Sequence, residues 1–154
     1  PWGAIPYDEA DYPDSAFQAR FGATFGLSDN LVQWSPGHRE RARKHFEVYK
    51  QVRHLLWGDF YPLFPLPSSL DAWDGWQYHD PATGEGLLVA FRLRADDGVR
   101  RVALRGLGDS QRYIFTDPYS AEQYAAHTGV ELATQGLPIA LPRNGSTLLT
   151  YRPA

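Results

Sequence analysis

The hydrophobic pattern of this 154-residue chain changes abruptly at Gly58. Before it, residues 36–57 carry apolar side chains at the three- and four-residue spacing of an amphipathic helix. After it, three prolines between Pro62 and Pro67 exclude a helix, because proline lacks the N–H that a helix interior needs. Short apolar runs separated by turn residues fill the rest of the chain. The pattern therefore predicts one helix, an extended crossing and then a series of strands.

The helix has a clear start signal at Ser35 and Pro36. Serine is a preferred N-cap, and proline suits the first helical position, where an N–H is not needed. We expect the helix to run to about Trp57, with Gly58 ending it. Its apolar side chains share one face, formed by His45, Phe46, Tyr49, Val52, Leu55 and Leu56.

The opposite face of this helix is rich in Lys and Arg. A basic face can bind nucleic acid or an anionic membrane, but here Glu40 precedes Lys44, and Arg43 precedes Glu47, at the four-residue spacing of surface ion pairs. The formal net charge of −3 also provides no global attraction for a polyanion. We expect a solvated face and neither a nucleic-acid nor a membrane partner. A nucleic-acid-binding module that uses this face is the third-ranked function, after the two given below.

Strand patterns lie on both sides of the helix. Before it, apolar residues from Phe17 to Leu27 alternate with Gly22, Thr24 and Gly26, which predicts a strand. After Gly58 six strands are predicted, at 73–79, 87–94, 99–105, 112–116, 137–141 and 146–152, with at most one helical turn at 120–126. The predicted fold class is mainly β: an antiparallel β-sandwich preceded by one strand and one amphipathic helix. We expect that leading strand and helix to be too small to bury their own apolar face.

Few residues in this sequence suit catalysis or metal binding. The chain has no Cys, which excludes a thiolate nucleophile and a sulfur-ligated zinc site, and its five His residues show no ligand spacing. No nucleophile elbow, phosphate-binding loop or dinucleotide fingerprint is present. We therefore predict no metal site and no cofactor.

An aromatic segment, Trp73 to His79, combines rings with a carboxylate, as sugar-binding sites often do. Trp73, Trp76 and Tyr78 could form a stacking platform, and a free-standing carbohydrate-binding sandwich is the alternative function. The competing interpretation is that Trp76 and Tyr78 fill the sandwich core, which would leave Gln77 and His79 pointing outward.

Several motifs occur in an order that is informative as a set. An FGLS segment at 25–28 is followed by Trp-Ser-Pro at 34–36, Tyr-Lys-x-x-Arg at 49–53, Gly-Asp-x-Tyr-Pro-Leu at 58–63 and Trp-Asp-Gly-Trp-Gln-Tyr at 73–78. A Leu-Pro-Ile-Ala-Leu segment closes the series at 137–141. Over residues 16–152 the chain resembles the C-terminal region of an α-galactosidase of glycoside hydrolase family 36.

The resemblance implies a division of the chain. Residues 1–57, with an irregular N-terminal lead, would be the remnant of the last βα unit of a (β/α)8 barrel, and residues 58–154 an antiparallel sandwich domain that stabilises the barrel. The family's retaining mechanism uses an Asp nucleophile and an Asp acid/base on earlier barrel strands, and no position here matches either motif. The resemblance therefore implies part of a carbohydrate-degrading hydrolase that is inactive alone and has no catalytic residue of its own.

Two further expectations concern partners and origin. The implied partners are a carbohydrate and either the missing catalytic barrel or another copy of the chain. The chain begins at Pro1 without Met, so we expect it to be cut from a longer protein. No basic stretch followed by an apolar run resembles a secretory signal, which slightly favours a cytoplasmic location.

The loop before the helix is the predicted substrate-binding site. In a (β/α)8 barrel the βα loops form the active face, which would place residues 28–34 at the catalytic rim. Asp29, Asn30 and Trp34 are the expected sugar contacts. The alternative is that Asp29 and Asn30 shape the turn while Trp34 packs against the start of the helix.

Overall fold

The computed structural model describes residues 12–22, 25–26, 30–124 and 126–154. Short 3₁₀ turns at Ala19–Gly22 and Leu31–Gln33 precede the long helix, and a third at Arg53–Trp57 follows it. The helices are α1 (Asp14–Gln18), α2 (Pro36–Val52) and α3 (Gly129–Thr134); the strands are β1 (Asp59–Pro62), β2 (Trp73–His79), β3 (Gly86–Arg92), β4 (Val99–Val102), β5 (Arg112–Thr116), β6 (His127–Thr128), β7 (Leu137–Ala140) and β8 (Gly145–Pro153).

Helix α2 begins and ends as its sequence predicts. The Ser35 hydroxyl accepts a hydrogen bond from the N–H of His38 at 3.1 Å, and Pro36 is the first helical residue. After the 3₁₀ turn, Gly58 ends the helical run. A Cβ on residue 58 would lie 2.3 Å from the carbonyl oxygen of His79, so only glycine fits where the chain crosses β2.

The strands form two antiparallel sheets. One has six strands in the order β1-β2-β3-β8-β5-β6, and the other pairs β4 with β7. All six predicted strands are present, and those at 73–79 and 112–116 match β2 and β5 residue for residue. The prediction of a mainly antiparallel β fold with an amphipathic helix is therefore confirmed.

Three helices or strands that follow α2 were not predicted. The first, β1, occupies the start of the proline-rich crossing and lies at the edge of the six-stranded sheet, where Pro62 is tolerated. The second, β6, is only two residues long. The third, α3, begins with a capping box between Thr128 and Glu131. The Thr-x-x-Glu spacing in the sequence is the signal for such a box. The described residues of the predicted turn at 120–126 form no helix.

The six-stranded sheet is covered on both faces. Leu88 and Ala90 of β3 face the two-stranded sheet, where they pack in one cluster with Val102 and Ile139. The other face packs against the N-terminal helices in a second cluster that includes Leu87, Val89, Phe17, Phe21, Val48 and Leu148. A strand buried on both faces needs a continuous apolar run, which explains the sequence Leu-Leu-Val-Ala-Phe at 87–91.

The predicted strand from Phe17 to Leu27 is wrong over its first six residues. Phe17 and Gln18 belong to α1, and the 3₁₀ turn continues to Gly22; residues 23–24 and 27 lie outside the described residues. Phe17 and Phe21 are both fully buried, and their four-residue spacing places them on one face of a helix. The alternation of small and large residues concealed this spacing.

The segment before Gly58 buries its apolar face against the sheet that follows it. Its aromatic side chains pack against β3 and β8 through Leu87 and Leu148. The phenolic hydroxyl of Tyr78 in β2 donates a 2.5 Å hydrogen bond to the carbonyl oxygen of Gly22, which joins the sheet to the helical segment. The helices therefore form a third layer on the sheet.

The two covered faces make a direct prediction about β3. Leu87→Ala and Leu88→Ala should each lower the free energy of unfolding by about 2–5 kcal/mol, because each removes a fully buried side chain from a different core. Val130→Ala in α3, at a side chain that is 47% exposed, is the control and should change it by less than about 0.5 kcal/mol. Urea denaturation measures all three. A loss at only one of the two leucines would show that one face is uncovered.

Candidate functional site

The predicted sugar-binding loop leads directly into α2. Asn30 caps the 3₁₀ turn Leu31–Gln33, and its side-chain oxygen accepts a hydrogen bond from the N–H of Val32 at 3.2 Å. Val32 is 84% exposed. Asp29 lies outside the described residues. The described part of the loop is thus a short capped turn with an apolar tip.

Trp34 is half-buried among aromatic rings. Its ring centroid lies 4.1 Å from that of His38, 6.1 Å from that of Tyr12 and 6.4 Å from that of Phe17. This packing anchors the start of α2, as the alternative interpretation of Trp34 requires. Its partial exposure still leaves ring surface at the loop, so the sugar contact of Trp34 stays a prediction.

The aromatic residues of β2 do not form a stacking platform. Trp73 is 3% exposed and lies in the cluster between the two sheets, whereas Tyr78 is 8% exposed and faces the helices together with Trp76. Successive side chains of a strand point to opposite faces, so odd and even positions of β2 cannot stack on one sugar. Trp76 and Tyr78 do fill a core, but it is the one between the six-stranded sheet and the helices and not the sandwich core that the competing interpretation named.

The expectation that Gln77 and His79 point outward is wrong. Both are buried between the two sheets, where the Tyr151 hydroxyl accepts a hydrogen bond from Nε2 of Gln77 at 2.8 Å and lies 3.2 Å from Nδ1 of His79. Gln77 also bonds the backbone of Arg105 in both directions. Burial lowers the pKa of His79 and raises that of Tyr151. These polar groups satisfy one another, so the cluster fixes the packing of the sheets.

A larger polar site lies between α1, α2 and the segment 117–119. It is a cleft of about 770 Å³ lined by residues of both helices, by Tyr119 and by the start of β8. At its base His45 is 3% exposed, with Nδ1 2.7 Å from the Tyr119 hydroxyl and Nε2 3.0 Å from an Asp14 carboxylate oxygen. The three side chains connect the segment 117–119, α2 and α1. Sequence reasoning missed this site because its residues come from three distant segments.

The hydrogen bonds that link Asp14, His45 and Tyr119 allow one consistent placement of their protons. A carboxylate only accepts hydrogen bonds, so Nε2 of a neutral His45 donates to Asp14 and Nδ1 accepts from the Tyr119 hydroxyl. Burial lowers the pKa of His45, and the hydrogen bond to Asp14 opposes that shift without cancelling it. Burial also raises the pKa of Tyr119. The side chains of His45 and Tyr119 are therefore both neutral near pH 7.

Two cations of the basic face of α2 are paired within the helix. Arg43 bonds both carboxylate oxygens of Glu40, and Lys50 bonds Glu47, each across three residues instead of the predicted four. Within the described ranges no group of three or more metal-ligating side chains converges, and no helix there is long and apolar enough to cross a bilayer.

The buried histidines predict a loss of stability in mild acid. An unfolded imidazole binds a proton below about pH 6.5, whereas burial lowers the pKa of folded His45 and His79. The free energy of unfolding should therefore fall as the pH drops below about 6.5, by at most about 1.4 kcal/mol per pH unit for each histidine. His45→Gln should reduce this slope. Urea titrations at several pH values measure it, with His54→Gln as the control because that side chain is 62% exposed. An equal reduction in both variants would contradict the assignment to His45.

Comparison with known proteins supports the fold. No protein-family model and no curated protein sequence matches the chain. Among solved structures, the galactosidase domain of α-galactosidase-sucrose kinase AgaSK matches with a TM-score of 0.79 and 19% identity, over 98% of this chain and 21% of that chain. The family 36 α-galactosidase AgaA from Geobacillus stearothermophilus matches with a TM-score of 0.78 and 19% identity, over 98% and 21%.

A third similar structure is the α-galactosidase from Lactobacillus brevis, with a TM-score of 0.77 and 17% identity over 98% of this chain and 22% of that chain. The chain thus spans about one fifth of the length of each of these proteins. At these identities the similarity concerns the fold, and it includes the helical layer as well as the sheets. The chain therefore has the fold of a segment of family 36 α-galactosidases, as its resemblance to their C-terminal region predicts.

Proposed function

We propose that this chain is the C-terminal segment of a larger, α-galactosidase-like retaining glycoside hydrolase that acts in carbohydrate breakdown. Residues 1–57 are the remnant of the last βα unit of its barrel, and residues 58–154 are the sandwich domain that stabilises the barrel. The observation that carries the proposal is the structural match, in which nearly all of this chain aligns with about one fifth of several α-galactosidase chains.

The proposed role of this segment is to support the chemical step. Retaining glycosidases need two carboxyl groups about 5 Å apart, one as nucleophile and one as acid/base. The family resemblance assigns both to earlier barrel strands, and no position in this sequence matches either motif. The segment alone should therefore be inactive towards glycosides.

Exposed apolar side chains support a partner for this segment. Trp57 is 92% exposed at the end of the helical run, and Val32 is 84% exposed in the loop before α2. Large apolar side chains in solvent are candidates for burial by another surface. The proposed partner is the catalytic barrel, and another copy of this chain is the alternative.

The proposal is tested with the complete gene product that contains this chain. It should hydrolyse an aryl α-galactoside with retention of configuration and leave the matching β-galactoside intact, whereas the 154-residue chain alone should hydrolyse neither. The same gene should encode seven preceding βα units with two strand-end aspartates. An inactive gene product without those units would refute the proposal, and so would activity of the isolated chain.

Within this function Asp29, Asn30 and Trp34 are the proposed substrate contacts. Trp34→Ala in the complete enzyme should lower kcat/KM roughly tenfold, since one lost stacking contact costs on the order of 1.4 kcal/mol. Trp34→Phe keeps an aromatic face and should retain most of the activity. Thermal unfolding of both variants separates binding from packing: unchanged kcat/KM with a lowered Tm for Trp34→Ala would leave Trp34 with a packing role only.

A further inference from the structure

The cleft between α2 and the segment 117–119 contains neither Asn30 nor Trp34 in its lining. Its volume of about 770 Å³ lies within the ~300–1,000 Å³ range of small-molecule sites. One face of α2 forms its long wall. The α2 residues that line it are Gly37, Glu40, Arg41, Arg43, Lys44, His45, Glu47, Val48 and Gln51. This wall includes exposed polar residues of α2 as well as the buried residues His45 and Val48.

The cleft has a buried floor with an unsatisfied acceptor. Gln18 lines the cleft, is only 5% exposed, and its side-chain oxygen has no hydrogen-bond partner. A buried acceptor without a partner costs about 1–3 kcal/mol. Native structures rarely leave such a group unpaired without a reason.

Further polar groups surround the floor. Ser146 shares the helix-facing side of β8 with buried Leu148, so its side chain lies on the side of the cleft. Lys44 is exposed on the α2 wall and forms no ion pair with any described residue within 4 Å. The ring of Tyr119 is 36% exposed and supplies an apolar surface beside its hydroxyl. The lining thus offers donors and acceptors together with an aromatic ring.

The charge of the lining distinguishes between ligand classes. Four carboxylates (Asp14, Glu40, Glu47 and Asp117) face three cations (Arg41, Arg43 and Lys44). Arg43 is already paired with Glu40, and the Arg41 guanidinium lies 3.8 Å from Asp14. An anion would meet excess negative charge here. A sugar hydroxyl both donates and accepts, so it suits this mixture.

We propose that the cleft between α2 and the segment 117–119 is a binding site for a neutral, polyhydroxylated ligand of mono- or disaccharide size. Its hydroxyls bond Lys44 and Ser146, and one C–H face rests on the ring of Tyr119. The site goes beyond the proposed glycosidase function, because a chain can bind sugar at this cleft whether or not it belongs to a hydrolase.

The test is an NMR titration of the 154-residue chain with methyl α-galactoside and, separately, with inorganic sulfate. Saturable shifts at Gln18, Lys44, Tyr119 and Ser146 with the sugar, and none with sulfate, are expected. Lys44→Met should raise the Kd roughly tenfold, as expected for one lost charged hydrogen bond. Ser146→Ala should weaken binding less. Arg39→Met removes the same charge from an exposed position of α2 outside the cleft and should leave the Kd unchanged.

Several results would overturn the proposal. No saturable shift with the sugar would exclude the site, and saturation by sulfate would identify an anion site instead. Equal weakening by Lys44→Met and Arg39→Met would show a general effect of charge. Because the readout is binding by this chain, failure here is distinct from failure of the proposed hydrolase, which is judged by the activity of the complete gene product.

Discussion

Burial of the central strand β3 on both faces is the constraint on which the rest of this structure depends. Leu87 and Leu88 are adjacent in sequence, fully buried and in different cores. A fully buried aliphatic side chain contributes about 1.5–3 kcal/mol relative to an exposed one. A two-layer sandwich would place one of these rows in water. The helical layer is therefore part of the hydrophobic structure of this chain, and the similar α-galactosidase structures match it together with the sheets.

Directional contacts then fix where the helical layer sits. Apolar packing alone allows helices to slide across a sheet, because it has no preferred direction. The hydrogen bond from Tyr78 to the backbone of Gly22 and the chain Asp14–His45–Tyr119 restrict that movement. Phe17 stacks on His45 with ring centroids 4.7 Å apart, so the apolar and polar contacts share side chains. Protonation of His45 would disturb both at once.

Local signals predicted most of the β-region and the long helix. Ser35, Pro36 and Gly58 define α2 by backbone chemistry that acts within a few residues, and β2 and β5 show their strand pattern directly. The errors concern long-range packing. The strand pattern predicts that Gln77 and His79 face solvent, but Tyr151, more than 70 residues away, supplies their partner. No local pattern in the sequence carries that information.

The same distinction applies to the candidate sites. The loop at Asn30 and Trp34 was found because a family resemblance marked it, whereas the cleft joins residues more than 100 positions apart. Packed side chains nevertheless join the loop to the cleft. Trp34 packs on Phe17, and Phe17 belongs to the cluster that contains Leu148 of β8. In the proposed enzyme, the sandwich thus reaches the catalytic rim through a continuous series of packed side chains, and it can hold the loop in place without touching the substrate.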